Sequence, residues 1–335
     1  MRLASEFDLI RRHFTRPTAP AAGVALGVGD DAALLRPAPG FDLVTTTDML
    51  VAGTHFLPET DPADLGWKTL AVNVSDIAAM GARPRWALLA LALPAPDALG
   101  AVASPLCFED WLAAFSKGFF ACADAYDVAL VGGDTTRGPL CLSVTMLGEA
   151  PAGTALRRDG AAVGDDVWVS GAPGRAALGL AHLQGRVVLP AAAAADCIAA
   201  LQRPQPRVAL GLALRGVASA CIDVSDGLLA DLGHIAERSG LALALAADAL
   251  PPLAWASAVP PPLCFQCVWS GGDDYELAFT APPARRDAVL AAAAQAGVTV
   301  TRIGMARDGV AGTVTLADAT GADITPARRG FDHFG

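Results

Sequence analysis

The chain has 335 residues, a hydrophobic content of 53% and a formal net charge of −10 at pH 7. This length predicts about two domains, and the apolar content is enough for a sizeable core, which excludes a disordered protein. The excess of carboxylates argues against a surface for nucleic acid or anionic membranes. The two lysines, Lys68 and Lys117, stand outside any Gly-Lys-Ser/Thr loop, so a P-loop nucleotide site is excluded.

The cysteine count and the N-terminal composition predict a cytoplasmic protein. Seven cysteines are scattered along the chain, and an odd number suits a reducing compartment better than a disulfide framework. The N-terminus lacks the apolar stretch of a signal peptide. The apolar run Trp86–Leu93 ends at Pro94 and is too short to span a membrane.

The spacing of apolar residues predicts alternating helices and strands in chain order. Leu70, Val74 and Ile77 share one helical face, with Asn73 and Asp76 beside it. Helices are predicted over 5–14, with Ser5 as a cap, and over 62–81, 107–125, 175–184, 208–218, 225–240 and 284–296. Strands are predicted near 24–28, 41–44, 86–93, 128–131, 140–147, 167–170, 220–224, 277–280, 298–303 and 313–317. The Ala/Pro-rich stretches 186–205 and 249–263 are expected to be irregular, and a domain boundary is expected near Ala150–Gly153.

Carboxylates follow many of the predicted strands or begin the predicted helices. The clearest example is Gly132-Gly133-Asp134, where glycines after a short apolar run let the backbone approach a ligand closely. Magnesium prefers oxygen ligands and often binds one or two carboxylates together with phosphate oxygens. Several converging carboxylates repel one another unless cations lie between them. The residues in such positions are Asp30, Asp31, Asp48, Asp76, Asp134, Asp223, Asp226, Asp273 and Asp274.

Two interpretations of these carboxylates remain open at this point. Asp is common in turns and helix caps, and each residue could have only that role. As a set, they favour a site with several magnesium ions that binds a polyphosphate. Phosphoryl transfer at such a site depends mainly on positioning and charge neutralisation. A phosphate acceptor is already anionic near neutral pH, so no general base is required.

Six segments together resemble the thiamine-monophosphate kinase family, in the superfamily that includes aminoimidazole ribonucleotide synthetase and selenophosphate synthetase. The similarity extends over nearly the whole chain, from Ser5 to Phe334. The segments are Gly27–Ala32, Thr46–Phe56, Asn73–Ala82, Gly132–Pro139, Ile222–Leu228 and Ser270–Leu277.

The resemblance implies transfer of the ATP γ-phosphate to thiamine monophosphate, the last step of thiamine diphosphate biosynthesis. It implies magnesium ligands, direct or through water, at Asp31, Thr46, Thr47, Asp48, Asp76, Asp134, Asp223 and Asp226. It implies ATP contacts at Gly133, Asp134, Arg158 and Ser225, and substrate contacts at His55, Asp273 and Phe331. No dedicated catalytic base is expected. Asp273 stands where the family usually has Glu, and Phe331 where it often has Tyr.

The resemblance also implies a two-domain α/β fold. Residues 1–150 are expected to bind ATP and magnesium, and their mixed sheet to form a barrel at the interface of a homodimer. Residues 151–335 are expected to form a second α/β domain that completes the active-site cleft.

Two alternatives to this activity differ in what the site does. One is a sister ATP-dependent enzyme that acts on another small acceptor. Selenophosphate synthetase would need a reactive Cys and a Lys near the N-terminus, whereas the first Cys here is Cys107. The hydrogenase-maturation relative would end in a Cys-containing tail, whereas this chain ends Asp332-His-Phe-Gly335. The other alternative is a non-catalytic nucleotide-binding protein, which would not need so many metal ligands.

Overall fold

The structure, a computed structural model, describes residues 6–16, 23–95 and 107–334. The predicted cap Ser5 lies outside the described residues. The chain divides into two compact units. The first comprises residues up to Ile77 together with Arg83–Gly153, and the second comprises Ala78–Ala82 together with residues from Thr154 onward. Both units combine helices with sheets, as the sequence predicts for a mixed α/β fold.

The first unit is built on a four-stranded mixed sheet. Its elements are α1 (Glu6–Leu9, continued by a π-helical turn over Ile10–Phe14), β1 (Val24–Leu26), β2 (Leu34–Leu35), β3 (Phe41–Val51), α2 (Pro62–Ala79, which ends in the second unit), β4 (Arg83–Leu93), α3 (Phe108–Ala125), β5 (Ala129–Arg137) and β6 (Cys141–Pro151). The sheet order is β3-β6-β4-β5, and β1 and β2 form a separate ribbon. Only the β4–β5 pair within the four-stranded sheet is parallel.

Two strands are longer than the sequence predicts. Strand β3 continues through Thr45–Val51 because every residue from Phe41 to Val51 pairs with β6. Strand β5 continues through Gly132 and Gly133 to Arg137, because an extra residue forms a bulge against β4 and pairing then resumes. The Gly-Gly-Asp segment therefore lies inside a strand instead of after one.

Helices α2 and α3 pack closely over one face of this sheet. Asp61 Oδ1 accepts hydrogen bonds from the amides of Ala63 and Asp64 and so caps α2. A Cβ on Gly118 would lie 1.8 Å from the carbonyl oxygen of Ala63, so the glycine permits the close approach of the two helices. The core beneath them contains the fully buried side chains of Leu70, Val74, Ile77, Trp111, Phe115 and Phe119.

The second unit contains a six-stranded sheet in the order β12-β9-β11-β7-β10-β8. Its elements are β7 (Asp166–Ser170), α4 (Arg175–Leu183), α5 (Ala191–Gln202), α6 (Val208–Leu214), β8 (Ala220–Asp223), α7 (Leu228–Arg238), β9 (Ala242–Ala246), α8 (Pro261–Ser270), β10 (Leu277–Ala281), α9 (Arg286–Ala296), β11 (Val300–Arg307) and β12 (Val314–Ala317).

Apolar side chains cover both faces of this sheet. Helix α7 packs Leu229, Leu232 and Ile235 into one cluster with Val167, Ile222 and other strand residues. Helices α6 and α9 pack on the other face, in a cluster that contains Trp168 and Phe279. Neighbouring residues of β7 thus point into different cores, which explains why these strands have nearly continuous apolar sequences.

The sequence prediction was wrong for the stretch 186–205. Helix α5 occupies Ala191–Gln202, and its Ala193, Ala194, Cys197 and Leu201 are buried. The high helix propensity of alanine outweighs the flanking prolines, which lie outside the helix. The 249–263 stretch is irregular only in part, because short 3-10 turns occur within it and α8 begins at Pro261.

Within the described ranges, no helix combines the length and the apolar character needed to cross a membrane.

We expect Gly118→Ala to lower the free energy of unfolding by about 1–3 kcal/mol, because the added methyl group forces α2 and α3 apart. A matched control is Gly233→Ala in α7, where a Cβ would have its nearest neighbours at 4.0 Å. That variant should be as stable as the parent or gain up to about 1 kcal/mol from helix propensity. Urea denaturation of both variants measures the difference. A Gly118→Ala protein as stable as Gly233→Ala would contradict this packing.

Candidate functional site

Three candidate residues of the first unit lie on the side of the sheet that α2 covers. Thr46 Oγ1 donates a hydrogen bond of 2.5 Å to Asp76 Oδ2 on α2. Two residues along β3, the amide of Asp48 donates to Asn73 Oδ1 at 3.2 Å. Alternate residues of a strand share a face, and Asn73 and Asp76 are neighbours on the helix. The structure therefore brings Thr46, Asp48 and Asp76 together.

Thr47 and Asp134 face the opposite side of the same sheet. Thr47 Oγ1 lies 3.1 Å from both Val144 O and Thr145 Oγ1, so its side chain is on the other face from Thr46. Asp134 pairs with Ala90, which is exposed on that open face. The predicted magnesium ligands of this unit thus form two groups on opposite faces of the sheet.

A cavity of about 1220 Å³ lies within the first unit, on the side of the sheet that Asp134 faces. Asp31, Gly133 and Asp134 line it, together with the apolar side chains of Phe14 and Leu88. Its volume exceeds that of most small-molecule sites, so a small molecule would fit within it. At Gly133 a Cβ would lie 1.8 Å from Leu89 O, so only glycine allows the strand to lie this close to β4. The cavity therefore places two candidate carboxylates beside a strand backbone that can contact a ligand.

His55 lies in the turn that follows β3, and its imidazole has a defined hydrogen bond. Its Nδ1 accepts from the amide of Val51 at 3.0 Å. The neutral ring then carries its proton on Nε2, which makes that atom a donor.

The second unit gathers four candidates around the turn Ser225–Gly227. The amide of Asp273 donates to Ser225 O at 2.8 Å, and the amide of Phe331 donates to Asp226 O at 2.9 Å. A Cβ on Gly272 would lie 2.4 Å from Ser225 O, so the glycine-rich segment fits directly against the turn. Ser225, Asp226, Asp273 and Phe331 are therefore neighbours.

Side chains near this turn differ in exposure and charge. The pKa of Asp226 is raised overall, because the effect of burial exceeds the opposite effect of the nearby His333 and His234. The Phe331 ring is 44% exposed and has an edge-to-face contact with the His333 ring at 4.9 Å between centroids.

Asp223 is buried at the end of β8. Arg158 is exposed on the loop before β7, and its carbonyl accepts from Ser239 Oγ at 2.9 Å.

Asp274 caps a helix, which is the ordinary role that the sequence also allowed. Its Oδ2 accepts from Gly174 N at 2.6 Å and its Oδ1 from Ala176 N at 3.4 Å, at the start of α4. Burial raises the pKa of this carboxyl to about 8. Asp30 likewise has a local bond, because its Oδ1 accepts from the amide of Asp31 at 2.8 Å.

The sequence reasoning missed Asp231. Its Oδ2 accepts hydrogen bonds from the amides of Ser225, Asp226 and Gly227. The residue is 3% exposed, and burial raises the pKa of its carboxyl to about 7. The signal was present, because Asp231 interrupts the apolar face of α7 just as Asp76 adjoins that of α2.

Across residues 6–16, 23–95 and 107–334, no group of three or more His, Cys, Asp or Glu side chains is arranged to enclose a metal ion. The carboxylates occur instead in small groups beside hydroxyl and backbone oxygens. Such sets suit a magnesium ion that keeps waters and shares phosphate oxygens, which is its usual mode in phosphoryl-transfer sites.

We expect Asp274→Ala to lower the free energy of unfolding by about 1–2 kcal/mol, because α4 loses its cap. The matched control Asp308→Ala removes an exposed carboxylate and should change it by less than about 0.5 kcal/mol. Thermal and urea unfolding of both proteins measure the difference. Equal stability of the two variants would show that the cap contributes nothing.

Comparison with known proteins places this geometry in a family. The model of the AIR synthase related protein N-terminal domain matches residues 29–150, and that of the C-terminal domain matches residues 162–317. The thiamine-monophosphate kinase of Salmonella typhimurium is 46% identical over 333 residues, with 98% of each chain covered.

Solved structures agree with the sequence matches. The crystal structure of thiamine-monophosphate kinase from Stenotrophomonas maltophilia is 50% identical, with a TM-score of 0.79 and coverage of 88% of this chain and 91% of that one. The structure of AaThiL complexed with AMPPCP and TMP is 30% identical, with a TM-score of 0.74 and 92% of each chain covered. The chain therefore belongs to the thiamine-monophosphate kinase family of AIR synthase related proteins.

Proposed function

We propose that this chain transfers the γ-phosphate of ATP to thiamine monophosphate and so forms thiamine diphosphate and ADP. The observation that carries the proposal is near-complete alignment with a thiamine-monophosphate kinase at 46% identity. The related AaThiL structure holds AMPPCP and TMP together, which are a nucleotide analogue and a candidate acceptor.

Phosphoryl transfer between these two substrates requires no covalent bond to the protein. The acceptor oxygen belongs to a phosphate that is already anionic, so no side chain has to remove a proton. Catalysis then depends on holding the two phosphates in line and on neutralising the charge that spreads over the transferred group. Carboxylates are themselves anionic, so in a chain with a net charge of −10 this neutralisation requires bound cations.

We assign nucleotide contacts to Gly133, Asp134, Arg158 and Ser225. Gly132 and Gly133 carry no side chain that would keep a phosphate away from the backbone, and the adjoining cavity is large enough for a small molecule. The Arg158 guanidinium can pair with phosphate oxygens in two-pronged geometry. The Ser225 hydroxyl can donate to a phosphate oxygen.

We assign acceptor contacts to His55, Asp273 and Phe331. The Nε2–H of His55 is suited to donate to the acceptor phosphate, because Nδ1 is held by the Val51 amide. The half-exposed Phe331 ring offers a face for a flat heterocycle. The Asp273 carboxylate favours a cationic or hydrogen-bond-donating part of the acceptor, although it is one methylene shorter than the usual Glu.

We further propose magnesium as the cation, held by Asp31, Thr46, Thr47, Asp48, Asp76, Asp134, Asp223 and Asp226. The oxygen-only donor set fits magnesium, and the Thr46–Asp76 pair beside Asp48 is its most compact part. When bound, the ions would neutralise phosphate charge. Thr47 fits least well as a companion of Thr46, because its side chain points to the other face of the sheet.

We also propose an oligomeric state for the protein and a role for each of its two halves. We propose a homodimer, since β3 exposes Phe41, Leu43 and Met49, and large apolar surfaces commonly mark interfaces. The assignment of ATP and magnesium binding to residues 1–150, and of a completing role to residues 151–335, is carried over from the family.

We expect Asp134→Asn to lower kcat/KM for thiamine diphosphate formation by about 100-fold or more, because it removes a metal-binding charge beside Gly133. Chromatography of products from ATP, magnesium and thiamine monophosphate gives the rates. The control Asp124→Asn removes an exposed carboxylate that pairs with Arg16 and should retain full activity. An active, folded Asp134→Asn protein would overturn this site.

A parent protein that binds ATP yet makes no thiamine diphosphate would point to another acceptor or to a non-catalytic binder.

Removal of divalent cations should abolish turnover without unfolding the protein. With excess chelator, the rate should fall to background while the circular dichroism spectrum is unchanged, because apolar side chains and not the candidate ligands form the core beneath α2 and α3 and the two clusters of the second unit. Added magnesium should restore the rate. Full activity in chelator would contradict the magnesium assignment.

A further inference from the structure

A single carboxylate oxygen organises the turn around which the second unit gathers its candidates. Asp231 Oδ2 lies 3.1 Å from the amide nitrogens of Ser225 and Asp226 and 3.0 Å from that of Gly227. Three consecutive amides therefore point inward to one acceptor. The residue is 3% exposed, so water does not compete for these hydrogen bonds.

This arrangement differs from an ordinary helix cap. The residue before α7 is Gly227, with φ 140°, and it has no side chain that could cap the helix. The acceptor comes instead from the fourth residue of the helix and reaches back over the preceding turn. Its three donors are the amides of the three residues immediately before the helix, which is more than helix capping requires.

The carbonyl oxygens of the same turn hold two other segments. Ser225 O accepts from the amide of Asp273, and Asp226 O accepts from the amide of Phe331. The Ser225–Gly227 turn thus binds Asp231 through its amides and the two acceptor-contact candidates through its carbonyls. A change in the turn would move Asp273 and Phe331 together.

We propose that Asp231 is a positioning residue for phosphoryl transfer, because its carboxylate fixes the Ser225–Gly227 turn and, through it, Asp273 and Phe331. The proposal rests on the proposed function for its kinetic consequence. Asp231 is 3% exposed and its Oδ2 accepts from the three amides, so we place it behind the turn and not in contact with either substrate. Its effect is exerted entirely through main-chain geometry.

The first test is kinetic and uses Asp231→Asn and Asp231→Ala. The alanine variant loses the acceptor, and we expect about a tenfold rise in KM for thiamine monophosphate together with a lower kcat. The asparagine variant keeps one acceptor oxygen and should lie between alanine and the parent. If Asp231→Ala does not fold, Asp231→Asn alone decides the matter.

The matched control is Asp165→Asn, because Asp165 lies at the opposite end of the strands of the same sheet, just before β7. Asp165 is 4% exposed, and its Oδ2 accepts from the Ala162 amide at 3.0 Å and from Ser219 Oγ at 2.5 Å. Its loss should destabilise the unit in a similar way and leave KM unchanged. Kinetic constants for Asp231→Asn equal to those of Asp165→Asn would reduce Asp231 to a structural role and overturn the proposal.

The second test does not depend on the reaction. Amide hydrogen exchange should show lost protection at Ser225–Gly227, Asp273 and Phe331 in Asp231→Asn, while Asp165→Asn leaves these amides protected. Unchanged protection at Asp273 and Phe331 would overturn the proposal even in an inactive protein. The parent protein could also make no thiamine diphosphate while Asp231→Asn loses amide protection at these positions. That combination would refute the assigned activity but would still support the role of Asp231 in fixing the turn.

Discussion

A carboxylate removed from water must receive hydrogen bonds, and this constraint shapes the second unit. Asp231 accepts hydrogen bonds from three amides of the Ser225–Gly227 turn, and Asp274 accepts hydrogen bonds from two amides at the start of α4. Asp165 accepts hydrogen bonds from an amide and a hydroxyl at the other end of the strands. In each case the cost of burial is offset by groups that would otherwise lack partners at a turn or helix end. The loops have defined shapes because their amides and hydroxyl groups donate hydrogen bonds to these three carboxyl groups.

The remaining carboxylates have a different environment. Thr46, Asp48 and Asp76 form a small polar group beside α2, and Asp31 and Asp134 line a cavity next to a strand with no side chain at Gly133. Neither group is enclosed by protein ligands. Open, oxygen-rich groups of this kind suit a reaction in which phosphates complete the coordination of the cation. The negative charge of the chain is therefore consistent with an anionic substrate, provided that cations accompany it.

Much of the fold could be predicted from sequence. The helices predicted over 62–81 and 107–125 are present as Pro62–Ala79 and Phe108–Ala125, because apolar residues recur at helical spacing in both. The mixed α/β class of both units is confirmed. The full lengths of β3 and β5 were not predictable, because pairing with distant strands extends them through Thr and Gly residues that read locally as turns. Helix α5 was missed because flanking prolines were given more weight than alanine propensity.

The candidate site shows the same limit of local reasoning. Motifs identified Ser225, Asp226 and Asp273, and the structure places them together through main-chain hydrogen bonds. Motifs could not tell that Thr46 and Thr47 point to opposite faces, since that depends on the length of β3. They also could not separate Asp274, a cap, from its neighbour Asp273. Asp231 interrupts the apolar face of α7, but its three partners are main-chain amides, so the sequence marks the residue without showing what it binds.

Phosphorus NMR of a single reaction mixture tests the central claim most directly. The protein would be incubated with magnesium, ATP and thiamine monophosphate, and the phosphorus resonances would be followed with time. Direct transfer predicts that the monophosphate signal is replaced by the two signals of a diphosphate ester, in equal amount to the ADP formed and without inorganic phosphate. Release of inorganic phosphate with the thiamine monophosphate signal unchanged would contradict the account.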